Sequence, residues 1–64
     1  MQENEANEIL DKLASRELEE YTIKKEEFLA FRQFLLQRED FKHFRGIAQH
    51  GGEVVYRYID EPRS

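Results

Sequence analysis

Near the C-terminus of this chain, the alternating stretch Glu53-Val54-Val55-Tyr56-Arg57-Tyr58-Ile59 directly follows the pair Gly51-Gly52. β-Branched and aromatic residues in alternation read as a strand, and a glycine pair reads as a tight turn. A strand with no neighbour leaves a row of backbone donors and acceptors unpaired, and a chain of 64 residues offers few neighbours. The segment must therefore form a hairpin with the residues before it or pair with another molecule. Either way the C-terminal third becomes the expected functional end.

The residues from Lys42 to Gln49 fit two patterns, a third helix closed by Gly51 or the first arm of a hairpin. Gly46 weakens the helix, and a two-residue Gly-Gly turn joins antiparallel strands well, so the hairpin is the expectation. Such a turn pairs His50 with Glu53, Ala48 with Val55, Gly46 with Arg57 and Phe44 with Ile59. A three-residue loop would gather Phe44, Ala48, Val54, Tyr56 and Tyr58 on one face, but it sets Arg45 opposite Arg57. That like-charge contact favours the two-residue register. Pro62 cannot continue a central strand.

Two helices are expected upstream. From about Asn4 or Glu5 to Glu20, Ala6, Ile9, Leu10, Leu13 and Leu18 recur at helical spacing, with Glu3, Glu5, Glu8 and Asp11 near the start, where the helix dipole favours negative charge. Tyr21-Thr22-Ile23 interrupts the pattern and reads as a short connector, with Thr22 the best N-cap for the second helix. That helix, about Lys24 to Arg38, carries the hydrophobic mass. Phe28, Phe31 and Leu35 share one face, flanked by Phe34 on one side and by Leu29 and Leu36 on the other, an arc of more than half the circumference. The first helix, the hairpin and a second copy of the chain are the surfaces available to bury it. The sequence thus predicts a single small α+β domain over residues 1–64, two helices followed by a C-terminal β-hairpin, with residues 1–4 and 60–64 frayed. The alternative is an all-α three-helix unit whose C-terminal strand pairs in a dimer.

A domain of this size sits near the lower limit for a core without crosslinks, at roughly 3–10 kcal/mol of stability, and there is no cysteine to add a disulfide. Self-association is an expected remedy. The absence of cysteine excludes thiolate zinc sites and fits a reducing compartment. The acidic start, Met1-Gln2-Glu3-Asn4-Glu5, is unlike a signal peptide, and no apolar run approaches a membrane span, so a cytoplasmic location is expected. In its lysine and glutamate content the chain resembles small cytosolic proteins of bacteria, a likeness of composition with no motif behind it.

No catalytic constellation is evident. His43 and His50 lie seven residues apart, but a tight metal site needs three or four convergent ligands, and no HExxH pattern is present. His43 is expected to pair with Asp60 or Glu39. No nucleophile elbow surrounds Ser15 or Ser64, and Gly51-Gly52 lacks the context of a phosphate-binding loop. The expectation is therefore a non-enzyme with no cofactor. It acts by occupying the surface of a protein partner, and by forming a homodimer, through the aromatics Phe34, Phe41, Tyr56 and Tyr58, left partly exposed, and through Val54 to Ile59 as an edge strand.

The net charge of −4 is unevenly spread. Residues 1–20 hold seven acids against Lys12 and Arg16, a net of −5, whereas residues 21–50 hold six Lys and Arg against four acids, a net of +2. Arg38, Lys42, Arg45 and Arg57 interleave with aromatic residues, which makes a nucleic-acid-binding regulator the alternative. Against it, the chain is acidic overall and carries no recognisable nucleic-acid motif.

Overall fold

The computed structural model describes residues 1–62. Two α-helices, α1 (Glu3–Ala14) and α2 (Lys25–Leu36), pack with three strands, β1 (Tyr21–Ile23), β2 (Phe44–Ala48) and β3 (Val54–Tyr58). The strands form one antiparallel sheet in the order β1-β3-β2. The α+β class and the hairpin are as the sequence predicts. The third strand comes from Tyr21-Thr22-Ile23, which is not a connector: Tyr21 pairs with Tyr56, Thr22 with Val55 and Ile23 with Val54.

Its pairing places β3 in the middle of the sheet. The segment from Val54 onward is therefore not an edge strand, and the edges are β1 and β2. Thr22 is consequently no N-cap, and α2 starts after Lys24 without a side-chain cap. The hairpin adopts the register of the three-residue loop, with Phe44 opposite Tyr58, Gly46 opposite Tyr56 and Ala48 opposite Val54. The Gln49 N–H donates to the Glu53 carbonyl at 2.7 Å, and His50, Gly51 and Gly52 make the turn, both glycines at positive φ. Arg45 does face Arg57. The penalty of that contact is a few tenths of a kcal/mol to about 1 kcal/mol, less than the gain from setting Phe44 and Tyr56 on the core side, where both are buried.

Opposed residues in an antiparallel pair share a face. The inner face thus carries Phe44, Tyr56 and Ile23, which meet Ala6, Ile9, Leu10 and Leu13 of α1 and Phe31 and Leu35 of α2 in one cluster. The Phe31 and Tyr56 rings lie 5.0 Å apart. The outer face carries Thr22, Val55, Ile47, Arg45 and Arg57.

α1 is shorter than its pattern suggests. It ends at Ala14 because Arg16 turns into the left-handed region, φ 69°, and the Leu18 N–H returns to the Lys12 carbonyl at 3.1 Å. Glu3 and Asn4, expected to fray, are helical, and Met1 packs against the core. Asp60, also expected to fray, accepts from Arg16. The expectation for residues 63 and 64 lies outside the described residues.

Candidate functional site

A groove opens where α2 meets the β2 side of the sheet, with a volume of about 280 Å³. Phe28, Leu35 and Leu36 form its helical wall, and Tyr56 and Val54 line it from β3. Its β2 side is low because two inner-face positions there hold Gly46 and Ala48, both exposed. Gly46 lies close to the neighbouring ring: a Cβ there would sit 3.1 Å from Tyr56 Cε1 and from a Val54 methyl, tighter than ordinary van der Waals contact. The small residues that admit Tyr56 to the core thus also leave the inner face uncovered beside β2.

The wide apolar arc of α2 is not fully buried. Leu29 is 72% exposed and Leu36 is 43% exposed. Burying side chains of this size is worth about 1.5–3 kcal/mol each, so a ligand that covered Leu36 and the groove would gain from it. Beside the groove runs the outer edge of β2, which has no strand partner among the described residues.

Three arginines on α2 and the sheet bear on the charge of this surface. Arg32 lines the groove, and Arg45 and Arg57 stand opposite each other on the outer face. None of the three makes an ion pair among the described residues. Arg38 differs. It donates from Nε to Asp40 at 2.9 Å and from a terminal nitrogen to Asp11 at 2.8 Å, and it lies 5.7 Å from the Phe44 ring centroid. The Asp40 hydrogen bond holds its guanidinium pKa above the usual value, against the opposing pull of partial burial and with Asp11 adding to the rise.

The residues singled out from sequence are scattered. Tyr56, expected to be partly exposed, is 4% exposed because β3 is central and its inner face is covered. Of the four aromatics it alone lines the groove. Phe34, Phe41 and Tyr58 are half-buried against the core. Tyr58 is held on several sides: it stacks on His43 at 5.3 Å, meets Phe44 edge-on at 5.1 Å, and lies under the Arg16 guanidinium. His43 pairs with neither Asp60 nor Glu39. Its Nδ1–H donates to the Ile59 carbonyl at 2.8 Å, while Asp60 belongs to Arg16.

The four basic positions are likewise separated. Arg45 and Arg57 project from the outer face and Tyr56 and Phe44 from the inner one, so the interleaving seen in the sequence becomes two opposite surfaces. Lys42 sits 6.0 Å from the Phe41 ring, and Arg38 is committed to its carboxylates. Leu29, Leu36, Arg32 and Gly46, which form the exposed apolar surface and its border, are the residues missed from sequence. The breadth of the α2 arc was a signal for the two leucines, but which side the sheet leaves bare depends on β1 occupying the far edge.

Among the described residues there is no group of three or more His, Cys, Asp or Glu that could hold a metal ion, and no helix long and apolar enough to cross a membrane. Fold and site together define a small α+β domain with an open sheet edge beside an apolar groove. Residues 3–57 match the family model described as YkzS-like protein. The match runs from the first residue of α1 into β3, and the chain belongs to the YkzS-like protein family. No curated protein and no solved structure matches the chain.

Proposed function

We propose that this chain is a non-enzymatic, cytoplasmic protein-binding module with regulatory action, and that its contact surface is the β2 edge together with the groove beside α2. The observation that carries this reading is the coincidence, at one place, of a strand edge unpaired among the described residues and an apolar groove bordered by exposed Leu36. Either feature alone is common on small domains. Side by side they offer backbone hydrogen bonds for affinity and a side-chain recess for selectivity, the two components of strand addition. Its mechanism is occupation of a surface. A second copy of the chain is one possible occupant.

A photo-crosslinking side chain placed in turn at Leu36, Ile47 and Glu8 tests the reading in cells that make the protein. Adducts with a defined protein, or with a second copy, should form at Leu36 and Ile47 and not at Glu8, on exposed α1 surface. Equal adducts at all three positions, or none at any, would remove the proposed surface.

A further inference from the structure

Resting on that reading, the structure assigns the chemistry of the occupant: an extended protein segment that alternates apolar and acidic side chains and adds as a fourth strand to β2.

The charges make the argument. In a sheet, like charges directly opposite are destabilising, yet Arg45 and Arg57 face each other across β2 and β3, and neither has a carboxylate partner among the described residues. Arg57 is on the central strand, with Thr22 and Val55 on the outer face nearby. Arg45 is on the edge strand, and no strand among the described residues lies across from it, where a fourth strand would add. A Glu or Asp brought there by an added strand would pair with Arg45 and offset its repulsion with Arg57.

The strand's period of two then sorts the remaining positions. Side chains next to the acidic ones point to the inner side, over Gly46 and Ala48 and against Leu36, where the groove accepts apolar groups. Apolar inward and acidic outward is thus the pattern complementary to both faces.

A second copy of this chain fits less well. Antiparallel pairing of two β2 strands about Gly46 sets each Arg45 against Ile47 of the other copy, buries no carboxylate near either, and brings two Arg45–Arg57 pairs into one continuous sheet face. A nucleic-acid strand would find the cations on the outer face but no aromatic ring to stack on among the paired strand residues described there, Thr22, Val55, Ile47, Arg45 and Arg57.

The test is a titration of isotope-labelled full-length protein, followed by amide NMR, with two heptapeptides: one alternates valine with glutamate and the other valine with lysine. The glutamate peptide should shift the amides of residues 44–48 and of Leu36, and bind at least about tenfold more tightly than the lysine peptide at low salt. Arg45→Glu should invert that order, and its dispersed spectrum shows independently that the variant is folded. Equal binding of the two peptides, or shifts centred on β1 or α1, would overturn the assignment. Failure of both peptides while crosslinks at Leu36 persist would also overturn it, leaving Arg45 as a charge that keeps sheet edges apart and the binding surface intact. Dimerisation of the free protein with protected β2 amides, or stronger shifts at Arg45 and Arg57 with a random single-stranded oligonucleotide than with the glutamate peptide, would replace the acidic segment by those partners.

Discussion

The Arg16 guanidinium lies over the ring of Tyr58, 5.2 Å from its centroid, and donates to the Tyr58 backbone carbonyl at 2.8 Å. This contact ties the end of α1 to the end of β3, and it coincides with a strained backbone, since Arg16 is the one described non-glycine residue at positive φ. A left-handed conformation costs a residue other than glycine about 1–2 kcal/mol. The ion pair to Asp60 returns little, because both side chains are more than half exposed. Arg16→Ala keeps the strain and loses the contacts, so it should destabilise by about 1–2 kcal/mol. Arg16→Gly loses the same contacts but relieves the backbone, and should be more stable than the alanine variant by about 1 kcal/mol. Urea denaturation of the three proteins checks the order, and equal midpoints for Ala and Gly would show that the backbone stores no strain there.

That residue also explains part of what the sequence could not disclose. Leu18 continues the helical spacing of Leu10 and Leu13, so periodicity alone runs α1 past its true end, and nothing local marks Arg16 as a stop. β1 was hidden for a related reason. Three residues are too few to display alternation, and the partner of Tyr21 is Tyr56, far along the chain. By contrast, Phe31 and Leu35 were evident as core from the α2 periodicity, and the hairpin from Gly46, Gly51 and Gly52. Its register is the one the Arg45–Arg57 contact argues against, because the burial of an entire face outweighs a single charge contact. The functional surface depends on the same strand: without β1, β3 reads as an edge and Tyr56 as partly exposed, whereas β1 makes β3 central and Tyr56 buried.

Arg38 joins three parts of the fold, reaching Asp11 on α1, Asp40 beyond α2, and the Phe44 ring in the sheet. Its side chain is only 21% exposed, so replacing it leaves a partly buried carboxylate at Asp40 without its partner. Arg38→Met should destabilise by about 1–3 kcal/mol. Because its pKa is raised in the folded state, its contribution is complete below its unfolded value and fades only as pH rises through the folded one. The loss in Arg38→Met should therefore be constant across neutral pH, measured as the difference in urea midpoint from the parent at pH 6, 7 and 8. A difference that shrinks steadily over that range would contradict this assignment.

The Arg45–Arg57 contact predicts a gain in stability. Arg45→Glu turns a like-charge cross-strand pair into an attractive one, and should raise stability by about 0.5–1 kcal/mol at low salt, with the gain diminishing at high salt. Thermal melts at two ionic strengths decide it. A variant less stable than the parent at low salt would show that the two guanidiniums do not repel in the folded state.

The two turn glycines should differ in kind. Both have positive φ, 83° at Gly51 and 89° at Gly52, which β-branched residues fit poorly. At Gly51 a Cβ would meet nothing within 4 Å, whereas at Gly52 it would approach Lys25 Cδ to 2.8 Å. Gly51→Asn should be tolerated within about 1 kcal/mol, since Asn accepts the left-handed region. Gly52→Asn carries the additional clash with Lys25 and should destabilise more, and the double Val variant should open the hairpin. Circular dichroism melts of the set would show equal losses at 51 and 52 if the Lys25 stem simply moves aside.

Along α2, burial grades the expected response to truncation. Phe31 is fully buried and packs on Tyr56, so Phe31→Ala should cost about 3–5 kcal/mol, enough to unfold a domain whose whole stability is roughly 3–10 kcal/mol. Phe34, about 60° around the helix from Phe31, is half-buried against the core. Phe34→Gln should therefore weaken the fold by about 1–2 kcal/mol through lost apolar burial, rather than leave it untouched as a free binding position would. Leu36 is 43% exposed at the groove. Leu36→Gln should change stability by less than about 1 kcal/mol while weakening whatever binds the β2 edge, because it removes apolar area that only a ligand can cover. Sedimentation and circular dichroism on the three variants separate these cases: if Leu36→Gln unfolds the protein as Phe31→Ala does, then Leu36 belongs to the core, and the groove is an internal packing defect rather than a docking surface.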